Sequence, residues 1–410
     1  ATSRTTELAT QVGFKGTRVN LKNTALQGTR TMTIRALEDP KVSGATSGMD
    51  LKTGGLSAGA VSLGASVALA ERHVGAGVQL SGSTISAPTG SLKVGNESKD
   101  LVEAIQGSAG LVSGGAGFAR LRVSGNATLD LTNGSTLEGL DVQVMHAGDQ
   151  TVKATGMIAG GVAVGGLISR AEDHAGANVT VTNSTFKGNS LYAERSHAIY
   201  SEASVGYGGA AAGVGADSKI TDTGVAAITF MNSTVATSPQ QASASTAITT
   251  IQANNRAQLR VYAGAMGGGI VGVGVPLATI EESGAANLTF TGGAISAPNV
   301  TLGAVNGTRT LDANNLIDTT KALSLTGELE GYGGGIVYVN YNRVKLLNNA
   351  TSAFTLTNVN FDPNTQLATL GGGYTYFGAD ASAKYGGAVT AGSNQLIVNN
   401  ALQSTMTLTG

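Results

Sequence analysis

Four histidines, the adjacent carboxylates Glu172-Asp173 and Glu281-Glu282, and one Gly-x-Ser-x-Gly stretch are among the residues of this chain whose types could do chemistry. Gly55-Leu56-Ser57-Ala58-Gly59 matches the nucleophile elbow of hydrolases, which needs a strained strand-to-helix turn to expose its serine. Ala58-Gly59 instead belong to a strand column that recurs along the chain, so no elbow is expected. Gly267, Gly269 and Gly272 fit G-x-G-x-x-G, a match that arises freely in a chain with 60 glycines and no βαβ pattern behind it. His73 and His174 lie two repeat units apart with no histidine in the copy between, and His146 and His197 form no H-x-x-x-H spacing, so no shared metal site is expected. The pairs Glu172-Asp173 and Glu281-Glu282 are adjacent residues, which on a strand point to opposite faces. Asn-x-Ser/Thr recurs at Asn126, Asn133, Asn178, Asn183, Asn232, Asn287 and Asn349, where a turn asparagine followed by strand threonine explains it better than glycosylation does. No catalytic residue, cofactor-binding residue, metal ligand or cofactor is therefore assigned, and an enzyme is not expected.

The element that would have to position such residues is a repeat. Gly160 and Val181 are 21 residues apart, and the spacing recurs from Gly59 to Leu80, Gly110 to Leu131, Gly209 to Phe230, Gly269 to Phe290, Gly335 to Leu356 and Gly387 to Leu408. Two residues before each anchor stands another apolar side chain (Val78, Leu129, Val179, Ile228, Leu288, Phe354, Met406), with a polar one between. That alternation is the signature of a half-buried strand. Asn or Gly follows two residues later (Gly82, Asn133, Asn183, Asn232, Gly292, Asn358, Gly410), as a turn with positive φ requires. Units that each carry strands but cannot bury a face alone must stack. The fold class expected is all-β: a β-solenoid, taken as a right-handed parallel β-helix, of about seven repeats of 49–66 residues. Whether each unit makes one wide turn or two of about 25 residues is open to periodicity alone.

Composition agrees with a narrow interior. Glycines number 60, tryptophan is absent and aromatic residues make up 4%, which suits a thin core of small side chains better than a globular one. Charged residues are 12%, 25 basic against 26 acidic, leaving no basic field to attract nucleic acid. With no cysteine there are no disulfides and no thiolate zinc sites. The uncharged run Ala263 to Ile280 reaches the ~18-residue length of a membrane helix, but its glycines and Pro276 point to strand, so no membrane insertion is expected.

Two further columns read as turns. Pro88, Pro239, Pro298 and Pro363 fall seven to nine residues after an anchor, where a strand must stop donating hydrogen bonds. Glu71-Arg72, Arg122, Glu172-Asp173, Asp222 and Glu281-Glu282 stand eight and nine residues before one, and are expected at a solvent-facing turn. The wider spacings, near 236–258 and 304–328, read as added loops or strands. Residues 1–410 are expected to form a single domain, a fragment of a longer array whose truncated units lie at both ends.

The Gly/Ala-rich strand pieces, such as MIAGGVAVGG and AGAMGGGIVGVG, alternate with Asn-Thr turns and short V-x-V strands. In this the chain resembles the filamentous-haemagglutinin and leukotoxin-like adhesins, secreted bacterial surface proteins. The resemblance implies an extracellular or cell-surface location, a structural stalk or filament supporting adhesion, and a host or neighbouring-cell receptor or glycan as partner, with end-to-end self-association as a second contact. Fold analogy alone suggests the alternative of a carbohydrate-binding or carbohydrate-degrading β-helix protein.

Overall fold

The computed structural model describes residues 2–14, 16–28, 31–38, 48–237, 248–307, 323–375, 377–386, 390–401 and 403–410. These residues contain 23 strands and no helix, joined in one sheet by parallel pairings. The strands are long, as in Thr84–Thr132, Thr136–Asp173, Ser190–Asp222 and Ile248–Glu282, because most bends leave the hydrogen-bond ladder intact. The uncharged run from Ala263 to Ile280 lies wholly within the last of these, and no helix is long and apolar enough to cross a membrane.

Register follows the sequence columns. Leu21 pairs with Leu80, Leu80 with Leu131, Leu131 with Val181, Val181 with Phe230, Phe230 with Phe290, Phe290 with Leu356 and Leu356 with Leu408. Among the described residues, pairing thus advances by a whole unit and never by half of one. Stacking like on like brings the Phe230 and Phe290 rings to 4.4 Å between centroids, nearly parallel. The turn asparagines Asn23, Asn133, Asn183, Asn232 and Asn358 all have φ between 47° and 56°, with Gly82 (59°) and Gly292 (66°) in the same column. An amide side chain tolerates that left-handed conformation, which is why Asn alternates with Gly there.

The glycine column has a different cause. Gly110 pairs with Gly160, and Gly269 with both Gly209 and Gly335. A Cβ added to Gly160 would lie 2.2 Å from the Gly110 carbonyl oxygen, and one on Gly209 would lie 2.0 Å from that of Gly160. Close approach of one backbone to the next excludes a side chain. Gly387 lies outside the described residues.

Two apolar cores result. One gathers the anchor strands and what faces them, including Leu129, Leu131, Val142, Val144, Val179, Val181 and Phe186. The other fills the Gly-rich arm with smaller groups such as Val152, Ala154, Ile158, Ala163 and Ala171. The arm is thin: a Cβ on Gly165 would meet the Ile158 side chain at 2.1 Å, and Ser169 Oγ donates to the Val152 carbonyl at 3.0 Å. So thin a layer leaves apolar side chains on its outside as well, with Leu111, Met157, Ile270 and Ile336 exposed.

Two expectations need revision. The added segments are shorter than 236–258 and 304–328, because Thr250 onward pairs with Ser190 onward, and Ser324 onward with Gln258 onward. Residues 238–247 and 308–322 lie outside the described residues. Pro88 is no strand end but sits in a continuous strand, where the register shifts between Ser86 and Gly90. A bulge is a place where a missing N–H is tolerated. Pro298 and Pro363 do fall between strands, and Pro239 is not among the described residues.

Candidate functional site

Between the two cores runs a buried polar seam. One side is the line Asn96, His146, Arg195, Asn255 and Asn306, each paired in register with the next. The other is Asp173, Asp222, Glu282 and Asn348, likewise stacked. All nine are buried, and Arg195, Asp173, Asp222 and Glu282 are at 0% exposure. Such charges are rarely buried without partners.

This overturns the solvent-facing turn. Glu172, Arg122 and Glu281 do face outward or half outward, but Arg72, Asp173, Asp222 and Glu282 point inward. The strands end at Asp173, Asp222 and Glu282, so the turn begins one residue later than the charge pattern suggests. At that last inward position the side chain caps the turn. Asp173 Oδ1 accepts from the Ala175 N–H at 2.9 Å, Glu282 Oε1 from Gly284 at 2.9 Å and Asn348 Oδ1 from Ala350 at 3.1 Å. Backbone groups freed by the turn are thereby satisfied without water.

Arg195 ties the two lines together. Its Nε donates to the Ala175 carbonyl at 2.8 Å, Nη1 to Asn255 Oδ1 at 2.6 Å and Nη2 to Asp222 Oδ1, with Asp173 Oδ1 3.7 Å from Nη2. His146 Nε2 lies 2.8 Å from Asp173 Oδ2, and its Nδ1 lies 2.7 Å from Asn96 Oδ1. His197 Nε2 lies 2.9 Å from Asp222 Oδ2. A second tie closes the seam earlier in the chain, where Arg72 Nη1 donates to Asp100 Oδ1 at 2.9 Å.

Burial by itself pushes the Asp173 carboxyl up; the His146, His197 and Arg195 charges overcome it and hold the group below the ordinary carboxylate range. Asp222 behaves likewise: burial raises it, and Arg195 and His197 bring it well below the usual value. Glu282 goes the other way. Burial, then the charge of Asp222, push it well above the carboxylate range, and Arg195 only partly opposes them.

His146, Asp173 and His197 offer ligand atoms within 4.8 Å of one another, the geometry a divalent ion could use. The Arg195 guanidinium beside Asp173, and a carboxylate oxygen already against each imidazole, engage those ligand atoms instead. The arrangement forms a hydrogen-bonded internal strut.

The other sequence candidates stay apart from it. Ser57 is buried within the strand Asp50–Ala58, its Oγ accepting from Ser62 Oγ at 2.8 Å, so it has no elbow. Gly267, Gly269 and Gly272 lie inside Ile248–Glu282. His73 and His174 sit half-buried outside, near Ser124 and Thr223 respectively. Sequence reasoning missed His146, Arg195 and His197. A signal existed: Asn96, His146, Arg195 and Asn255 each stand 14 residues before a column glycine.

No family model, no curated protein and no solved structure matches the chain.

Proposed function

We propose that the chain is a single β-solenoid domain, a right-handed parallel β-helix of about seven one-turn repeats, serving as a rigid stalk segment of a secreted or surface-bound bacterial adhesin. The observation that carries this reading is the register: every anchor pairs with the anchor one unit away, and every pairing is parallel. Such a ladder extends by adding units without a change of design, which is what a filament needs. The seam is its internal strut and not a reaction centre, since its charges are engaged with one another.

Cryo-electron microscopy of the full-length source protein tests the proposal. Rods with an axial repeat of about 4.8 Å are expected. A compact globule would overturn it.

A further inference from the structure

Where the two cores meet, the outer surface is concave. Gly95 (φ 146°) and Gly148 (φ 152°) bend their strands at this corner, and three adjoining hollows of about 500, 510 and 680 Å³ follow it. They reach from Ser91 past Lys99 along the strands and cross from there to Gln252, Arg256 and Arg260. At 3.3 Å per residue and 4.8 Å per strand, that is a trough roughly 30 Å long and 14 Å wide.

Its floor is unusual. Strand alternation turns Asn254 outward, opposite to the core residues Ala253 and Ile251, yet the concavity leaves it only 3% exposed. Asn254 Oδ1 has no hydrogen-bond partner in the protein. The same holds for Arg256 Nε, between the first and second hollows. A buried polar atom without a partner costs free energy, on the order of 1–3 kcal/mol, so two side by side along one trough favour a ligand that reaches in.

The atoms identify the ligand chemistry. Asn254 Oδ1 can only accept and Arg256 Nε can only donate. A hydroxyl group does both, so a row of hydroxyls matches the floor as neither phosphates nor carboxylates would. Four basic and four acidic side chains line the trough, which gives no net pull on a polyanion. Half-buried Tyr192 offers a ring to the apolar face of a sugar, whereas the Tyr200 ring already has Lys153 and Arg260 within 5.4 and 5.6 Å. We infer that this trough binds an extended neutral oligosaccharide, with Asn254 and Arg256 on its hydroxyls and Tyr192 stacked against a ring.

Isothermal titration of the 410-residue chain with cellohexaose, chitohexaose, mannohexaose and a heparin hexasaccharide tests this. One of the three neutral chains should bind, and Asn254→Ala and Tyr192→Ala should each weaken it at least tenfold with an unchanged circular-dichroism melt. Gln143→Ala, on the open rim of the first hollow, provides a third variant if either of these melts early, and should weaken binding by a smaller factor. Binding of none of the neutral chains, preference for heparin, or affinity indifferent to the folded variants would overturn the inference. A rod that binds no sugar and a sugar-binding globule are distinct outcomes, so the two proposals fail separately.

Discussion

Arg195 joins the two lines of the seam, and its removal tests the seam directly. Truncating one member of a buried ion-pair group strands the others without compensation, a loss of about 3–5 kcal/mol. Arg195→Met should therefore lower the unfolding free energy from a urea titration by that amount, since Asp222 and Asp173 stay buried beside an apolar side chain. Acidity acts on the same residues with two signs. Asp173 and Asp222 have depressed folded values, so their contribution is present above the unfolded value of about 3.9 and is lost as pH falls below it. Melting temperature should drop steeply below about pH 4, and Asp222→Asn should flatten that slope. Glu282 is raised, so its contribution is complete below about pH 4.3 and is lost as pH climbs through the folded value. Glu282→Gln keeps the Oε1 acceptor for Gly284 and carries no such loss. It should raise the melting temperature at pH 7–8 and leave it unchanged near pH 4; a variant melting lower at both would contradict the assignment.

At the scale of elements, the glycine strand and the asparagine turn make separable predictions. Gly160→Val places a branched side chain against the Gly110 carbonyl, where backbone must move, whereas Thr180→Val changes a half-exposed side chain. The first should melt well below the parent and the second within a degree or two of it. Asn183 at φ 48° is held in a left-handed conformation that costs other L-residues about 1–2 kcal/mol. Asn183→Ala should pay that cost in a denaturant titration, while Asn183→Gly should come close to parity. Equal losses for the two would mean that the side-chain amide, not the dihedral, holds the turn.

At the scale of the whole molecule, strand pairing among the described residues runs between neighbouring units, so a lesion should stay local if the proposed stacking holds. Hydrogen–deuterium exchange of Arg195→Met should show faster exchange across residues 141–175 and 248–285, which pair with or face Arg195, and parent-like rates across 61–94. Uniform acceleration would indicate a single cooperative core.

The sequence by itself determined what is local and repeated: the strand anchors, the positive-φ turn residues, the glycine column and its constant 21-residue distance to the anchor. These could be read because stacking like residue on like residue writes the third dimension into the period. It also placed the paired carboxylates correctly on opposite faces. Only the tertiary structure decided which face was inside. Asp173, Asp222 and Glu282 look like surface charges in one dimension, since nothing in a strand's alternation says that a second core lies beyond them. His146 and His197 come to the same seam from positions two residues out of column, His146 pairing with Arg195 and His197 with Gly148. Their meeting depends on side chains converging between two cores, a distance no linear spacing records. The trough has the same origin: Asn254 alternates outward like any surface residue, and only the bend of the strands around it takes it out of water.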